Sequence, residues 1–147
     1  MRRYARGFTL VELVMMMVVI GILAAVALPR FDTSIYRVLE FHDKTMTALR
    51  FAQKTATSHR RMVCVAFTTT TVTLTIDHDK SGACNGQPLV IAGSNTNVVQ
   101  SGDLTNAVFS SLPADFNFLA DGTGADRSIS ITGQPVITVV GATGSVF

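Results

Sequence analysis

The stretch Phe8-Thr9-Leu10-Val11-Glu12-Leu13-Val14-Met15-Met16-Met17-Val18-Val19-Ile20-Gly21-Ile22-Leu23-Ala24-Ala25-Val26-Ala27-Leu28 divides this chain of 147 residues. Of its 21 residues only Thr9, Glu12 and Gly21 fall outside the hydrophobic set, so 18 are apolar. As an α-helix it would extend roughly 31 Å, close to the hydrocarbon thickness of a bilayer. It is longer than the hydrophobic centre of a signal peptide, about 7–15 residues, and no small-residue cleavage site with polar sequence follows it. The expectation is a single-pass anchor over 8–28. Arg2, Arg3 and Arg6 precede it, and the positive-inside rule keeps that end cytoplasmic and sends the rest of the chain across.

The averages conceal this segregation. The chain is 48% hydrophobic and 15% charged with a formal net charge of +2. Without the apolar run, the remainder has the composition of an ordinary soluble domain. A polytopic membrane protein, a disordered chain and a disulfide-dense miniprotein are excluded. Charge is uneven too. From Arg30 to Arg61 there are seven bases against three acids, and beyond Met62 two bases against six acids. The summed charge is a weak argument for a nucleic-acid partner.

Glu12 stands near the start of the run, where an unpaired carboxylate in hydrocarbon costs on the order of 2–3 kcal/mol, less at the interface. The next base is Arg30, about 27 Å away along a helix. Its partner must come from the chain's own terminus or from another molecule. The string Arg6-Gly7-Phe8-Thr9-Leu10-Val11-Glu12-Leu13, ending in Ala24-Ala25-Val26-Ala27-Leu28-Pro29, resembles the signal of type IV prepilins and type II secretion pseudopilins. The resemblance implies a leader over 1–7, cleavage between Gly7 and Phe8 by a prepilin peptidase, and N-methylation of Phe8. It implies that Glu12 pairs with the Phe8 amine of a neighbouring subunit and sets assembly register. It also implies the partners: other pilins or pseudopilins, an inner-membrane assembly platform and, before assembly, inner-membrane lipid. Loss of 1–7 removes three of the 12 bases, leaving nine against 10 acids and a side-chain charge of −1.

Pro29 predicts a kink, because it removes one N–H and clashes with the preceding turn. Asp32-Thr33-Ser34 offers a new cap. Over 29–61, Ile35, Val38, Leu39, His42, Met46, Leu49, Ala52 and Ala56 fall on one face of an amphipathic helix. His42 on that face reads as a packed core histidine. His59, Arg60 and Arg61 suit a helix C-terminus, with a basic patch for DNA or anionic lipid as the alternative.

From Met62 the period changes to that of strands. Met62–Phe67 and Thr71–Ile76 lead, followed by candidates at 89–92, 97–100, 107–112, 116–119, 128–132, 135–140 and 145–147. Gly133-Gln134 fits a two-residue hairpin turn. Residues 62–147 thus read as a periplasmic β-rich domain. The fold expected is α+β and pilin-like: a long kinked N-terminal helix, its first half transmembrane, packed on an antiparallel sheet or sandwich.

On the oxidising side of the membrane, Cys64 and Cys84 are expected to form a disulfide, the alternative being two buried thiols. Asp77-His78-Asp79-Lys80-Ser81-Gly82 opens like a calcium loop, with Asp77, Asp79 and Ser81 as candidate ligands. It has Pro88 where a bidentate Glu belongs, so a polar hairpin tip is favoured. Asp121-Gly122-Thr123-Gly124-Ala125-Asp126 is a second acidic, glycine-rich loop. No metal-binding or nucleophile motif is present, so a non-enzyme without cofactor is expected.

Thr47–Ala56 leading to a Cys-bearing strand, and the ending Gly141-Ala142-Thr143-Gly144-Ser145-Val146-Phe147, resemble the GspH/FimT group of minor pilins. The resemblance implies a minor subunit at or near the tip of a type II secretion pseudopilus or type IV pilus, serving secretion or adhesion. DNA-binding FimT-like pilins carry an Arg-containing C-terminal motif, whereas the last base here is Arg127. A DNA-binding minor pilin and a single-pass periplasmic binding protein are the competing expectations.

Overall fold

The computed structural model describes residues 7–27 and 33–147, without the side chains of 26 and 27. The chain divides into two compact units, Met1–Thr33 and Ser34–Phe147. In the first, helix α1 spans Leu10–Ala27. Pro29, with its expected kink, and Asp32 of the expected cap lie outside the described residues.

α1 begins at Leu10 rather than Phe8 because Thr9 caps it. The Thr9 hydroxyl accepts from Glu12 N–H at 3.3 Å, and the Thr9 carbonyl accepts from Leu13 N–H at 3.2 Å. The 18 described residues of α1 extend about 27 Å. Among the described residues no helix is long and apolar enough to cross a membrane. The transmembrane expectation for 8–28 runs past Ala27, the last described residue of this helix, and is not shown by the structure.

The second unit holds α2 (Thr33–His59), β1 (Val63–Phe67), β2 (Thr71–Ile76), β3 (Gln87–Pro88), β4 (Val98–Gln100), β5 (Phe116–Phe118), β6 (Arg127–Ile129), β7 (Ile137–Val140) and β8 (Ser145–Val146). All pairings are antiparallel, and they form two sheets. In the larger, β1 lies between β2 and β5, and both β3 and β4 pair with β2. The smaller runs β6-β7-β8. The expected α+β architecture, helix first and antiparallel sheets after it, is present.

Strand period sets the inward faces. In β1, Val63, Val65 and Phe67 are buried while Cys64 and Ala66 turn outward. Val63 pairs with Ile76 and Phe118, and Val65 with Leu74 and Phe116, so inward residues meet inward residues. The smaller sheet contributes Ile129, Ile137, Val139 and Val146 to the same core. Phe41 of α2 meets Phe109 at 5.3 Å. Phe109 meets Phe67 at 5.6 Å and Phe67 meets Phe116 at 6.1 Å, so stacked and tilted rings tie α2 to the larger sheet. On its other flank, α2 donates from Arg50 Nε to the Val146 carbonyl and from Gln53 Nε2 to the Thr143 carbonyl.

Contact with both sheets broadens the buried face of α2 beyond the single stripe expected. Phe41, Thr45, Ala48 and Thr55 join Val38, His42, Leu49, Ala52 and Ala56 in burial. Ile35 and Leu39 are exposed instead, at 64% and 44%. His42 is buried, as expected. Its Nδ1 lies 3.2 Å from Asp43 Oδ1, while its Nε2 has no partner.

Three strand expectations shift. The strand placed at 89–92 forms instead at Gln87–Pro88. Residues 107–112 make an isolated bridge, Phe109 with Ile131. The tight turn lies at Ile131–Gln134, with Gly133 at φ 74 and Gln134 N–H bonded to the Ile131 carbonyl. The β6–β7 connection is longer than two residues because Ile131, past the end of β6, pairs with Phe109 instead of extending the β6–β7 ladder, and Pro135 has no N–H for that ladder.

Candidate functional site

α1 has no polar face. Among its large apolar residues, Leu10 is 79% exposed and even Met16, the least exposed, is 47%. Monomeric proteins rarely leave more than a few hundred Å² of contiguous apolar surface uncovered. A helix that is apolar all round belongs inside lipid or among other helices.

Glu12 begins one stripe of this surface, followed by Met15, Met16, Val19 and Ile20 along a shallow groove. The cap gives it a second setting. Thr9-x-x-Glu12 is a capping-box pattern, with Glu12 at the third helical position. Its charge there also complements the helix dipole, worth about 0.3–1 kcal/mol. The sequence showed that Glu12 needs a charge partner but this local role was missed, although the Thr-x-x-Glu spacing signals it. Gly7 and Phe8 lie in the coil before the helix.

The other candidate residues lie on β1 and in the loop after β2, within the second unit. Cys64, on the outward face of β1, is joined by a disulfide to Cys84, with Cα atoms 6.1 Å apart. Cys64 stands opposite Thr75, and Cys84 Sγ lies 3.8 Å from the Thr75 carbonyl. The bond therefore clamps the loop after β2 over the outer face of the sheet.

Asp77 organises that loop. It is 3% exposed; its Oδ1 accepts from Ser81 N–H at 3.2 Å and its Oδ2 from Gly82 N–H at 2.9 Å. Asp79 accepts from Ser81 N–H and from Asn85 Nδ2. Asp77, Asp79 and Ser81 thus satisfy one another and the turn backbone. Among the described residues no group of three or more His, Cys, Asp or Glu side chains is arranged to hold a metal ion.

Local hydrogen bonds hold three loop carboxyls below the ordinary aspartate value. For Asp79 the main donor is the Ser81 side chain, for Asp103 the Asn106 side chain, and for Asp121 the Thr123 side chain. A carboxyl with a lowered folded pKa supports its loop fully above the unfolded value, and that support is lost as pH falls through the folded value. Carboxyl titration followed by NMR is expected to give midpoints below about 3.9 for all three. The Thr105 and Thr123 amides, which donate to Asp103 and Asp121, should lose hydrogen-exchange protection only in that acid window. Midpoints at or above the ordinary value would contradict the assignment.

Residues 2–28 match the family model of the prokaryotic N-terminal methylation motif. The match includes Gly7, Phe8 and Glu12 and supports a type IV pilin-like protein, processed by a prepilin peptidase and assembled with other pilins. No curated protein and no solved structure matches the chain.

Proposed function

We propose that the chain is a minor pilin or pseudopilin of the GspH/FimT kind. It is a structural rather than catalytic subunit of a type II secretion pseudopilus or type IV pilus, placed at or near the tip. Before assembly, the apolar run over 8–28 anchors it in the inner membrane with the β-rich unit in the periplasm. Assembly moves α1 from lipid into a bundle of neighbouring helices, and Glu12 meets the methylated Phe8 amine of an adjacent subunit.

The observation that carries this reading is α1 itself: an exposed helix, apolar on every side, with one carboxylate in its first turn. Such a surface needs either lipid or like helices around it. A carboxylate among them needs a cation, because breaking a buried pair costs about 3–5 kcal/mol.

Glu12→Gln tests the pairing apart from the cap. Glutamine retains the hydrogen-bonding pattern of a capping box but carries no charge. Incorporation into fibres, measured by immunoblotting sheared surface fractions, is expected to fall at least about tenfold for both Glu12→Gln and Glu12→Ala, while leader cleavage continues. Wild-type incorporation by Glu12→Gln would leave Glu12 as a capping residue and overturn its role in register.

A further inference from the structure

At the C-terminal end of α2 an open hollow of about 520 Å³ is lined by Arg60, Arg61 and Lys80, together with apolar Met62 and Leu119. None of these three cations has an ion pair. Among the described residues the ion pairs are Lys44–Glu40 and His42–Asp43. Arg61 Nη1 donates at 3.4 Å to the Asp77 carbonyl. Two acids also line the hollow, and both are engaged by their own loops. Asp77 accepts from Ser81 and Gly82, and Asp121 accepts from the N–H and hydroxyl of Thr123.

The backbone supplies a second observation. Arg60 has φ 50 and Lys80 φ 58, and among the described residues no other non-glycine residue has a positive φ. Arg60 follows the last residue of α2, and Arg61 N–H bonds back to the Ala56 carbonyl at 3.1 Å. This is the Schellman closure, in which the left-handed position is usually glycine. Lys80 holds the same conformation within the loop clamped by the disulfide. At both positions folding favours glycine, and at both a long cation stands beside the same hollow. Backbone strain of this kind concentrates at ligand-binding sites.

We propose that this hollow binds a carboxylate on an acidic peptide segment of a partner protein. Three cations against two acids leave one net positive charge, which suits a single carboxylate better than the repeated phosphates of a nucleic acid. The guanidinium of Arg60 offers paired N–H donors to such a group, and Lys80 adds a mobile ammonium. Met62 and Leu119 give the peptide's apolar neighbours a surface. The site stands independently of the fibre reading, since it lies wholly within 34–147.

The test uses the full chain in detergent. A fluorescein-labelled peptide of alternating Glu and Leu serves as probe, with binding read by fluorescence anisotropy. The double variant Arg60→Gly/Lys80→Gly is expected to weaken binding at least about tenfold, while its melting temperature holds or rises because glycine relieves the left-handed backbone. Lys44→Ala, a cation outside the hollow, should bind as the parent does. Absence of peptide binding, unchanged affinity in the double variant, or a lowered melting temperature would overturn the proposal. So would tighter binding of labelled duplex DNA than of the peptide, or a preference for anionic over zwitterionic vesicles that the double variant abolishes.

Discussion

Gly144→Ala is expected to destabilise the unit over 34–147 by about 3–4 kcal/mol, a loss of several hundredfold in the folding equilibrium. Gly144 has φ 65, a left-handed conformation that costs an L-residue about 1–2 kcal/mol. A Cβ there would also collide with the Gly122 carbonyl oxygen and crowd Gln53 Cγ. The carbonyl is backbone and cannot rotate aside. Nearby, Gly124 N–H donates to the Gly141 carbonyl at 2.8 Å, and Gly141 N–H donates to Asp126 Oδ1 at 2.7 Å. A Cβ on Gly124 would lie 2.8 Å from the Asn117 carbonyl oxygen, and one on Gly141 2.7 Å from the Gly124 carbonyl oxygen. The loop before β6 and the turn before β8 therefore meet backbone to backbone beside α2.

Gly133→Ala separates strain from collision. Gly133 has φ 74 but open space around it, so it should lose only about 1–2 kcal/mol. Urea unfolding of the two variants measures the difference. Equal losses would show that the glycine seam tolerates a side chain and that φ alone matters.

Replacing both cysteines, Cys64→Ser with Cys84→Ser, is expected to remove about 3 kcal/mol. The bond closes a loop of sequence separation 20, and the chain-entropy model gives that value for such a length. For a unit of this size the melting temperature should fall by about 10–15 °C. Cys64 is on the outward face of β1, so the substitution opens no core cavity. The effect arises mainly from the larger freedom of the unfolded chain. Thermal melts of the parent and the double variant check it. A shift below about 4 °C would mean that the hydrogen bonds of Asp77 to Ser81 and Gly82 already close the loop without the disulfide.

How much of the molecule was legible in the sequence depended on whether the deciding forces were local. The alternation of Val63, Val65 and Phe67 and of Val72 and Leu74 specified strands, because a pleated chain sends every second side chain to one face. The apolar run starting at Phe8 and the heptad-like spacing of Val38, His42, Leu49, Ala52 and Ala56 specified helices for the same local reason. The Phe41, Thr45, Ala48 and Thr55 positions were missed because the width of a buried helix face is set by what lies on it. Here that is two sheets, which no spacing within the helix announces.

The functional segment shows the same division. Gly7, Phe8 and Glu12 were read from a contiguous motif, and the single unpaired carboxylate in an apolar run already required a partner. The basic hollow was half visible: Arg60 and Arg61 stood out as a pair at a helix end. Lys80 joined them only through the antiparallel pairing of β1 with β2, which returns the loop after Ile76 to the end of α2.

The sequence by itself determined the two-part character of this protein, an apolar assembly segment and a β-rich unit of ordinary composition, because hydrophobic periodicity acts within each segment. Only the tertiary structure decided why Gly122, Gly124, Gly141 and Gly144 are glycines. Read alone, the string at 121–126 was simply an acidic, glycine-rich loop. Gly122 lies against the Thr57 side chain of α2, Gly124 lies against the Asn117 carbonyl of β5, and the Gly122 and Gly124 carbonyls leave no room for a Cβ at Gly144 and Gly141; such exclusion exists only once the chain has folded.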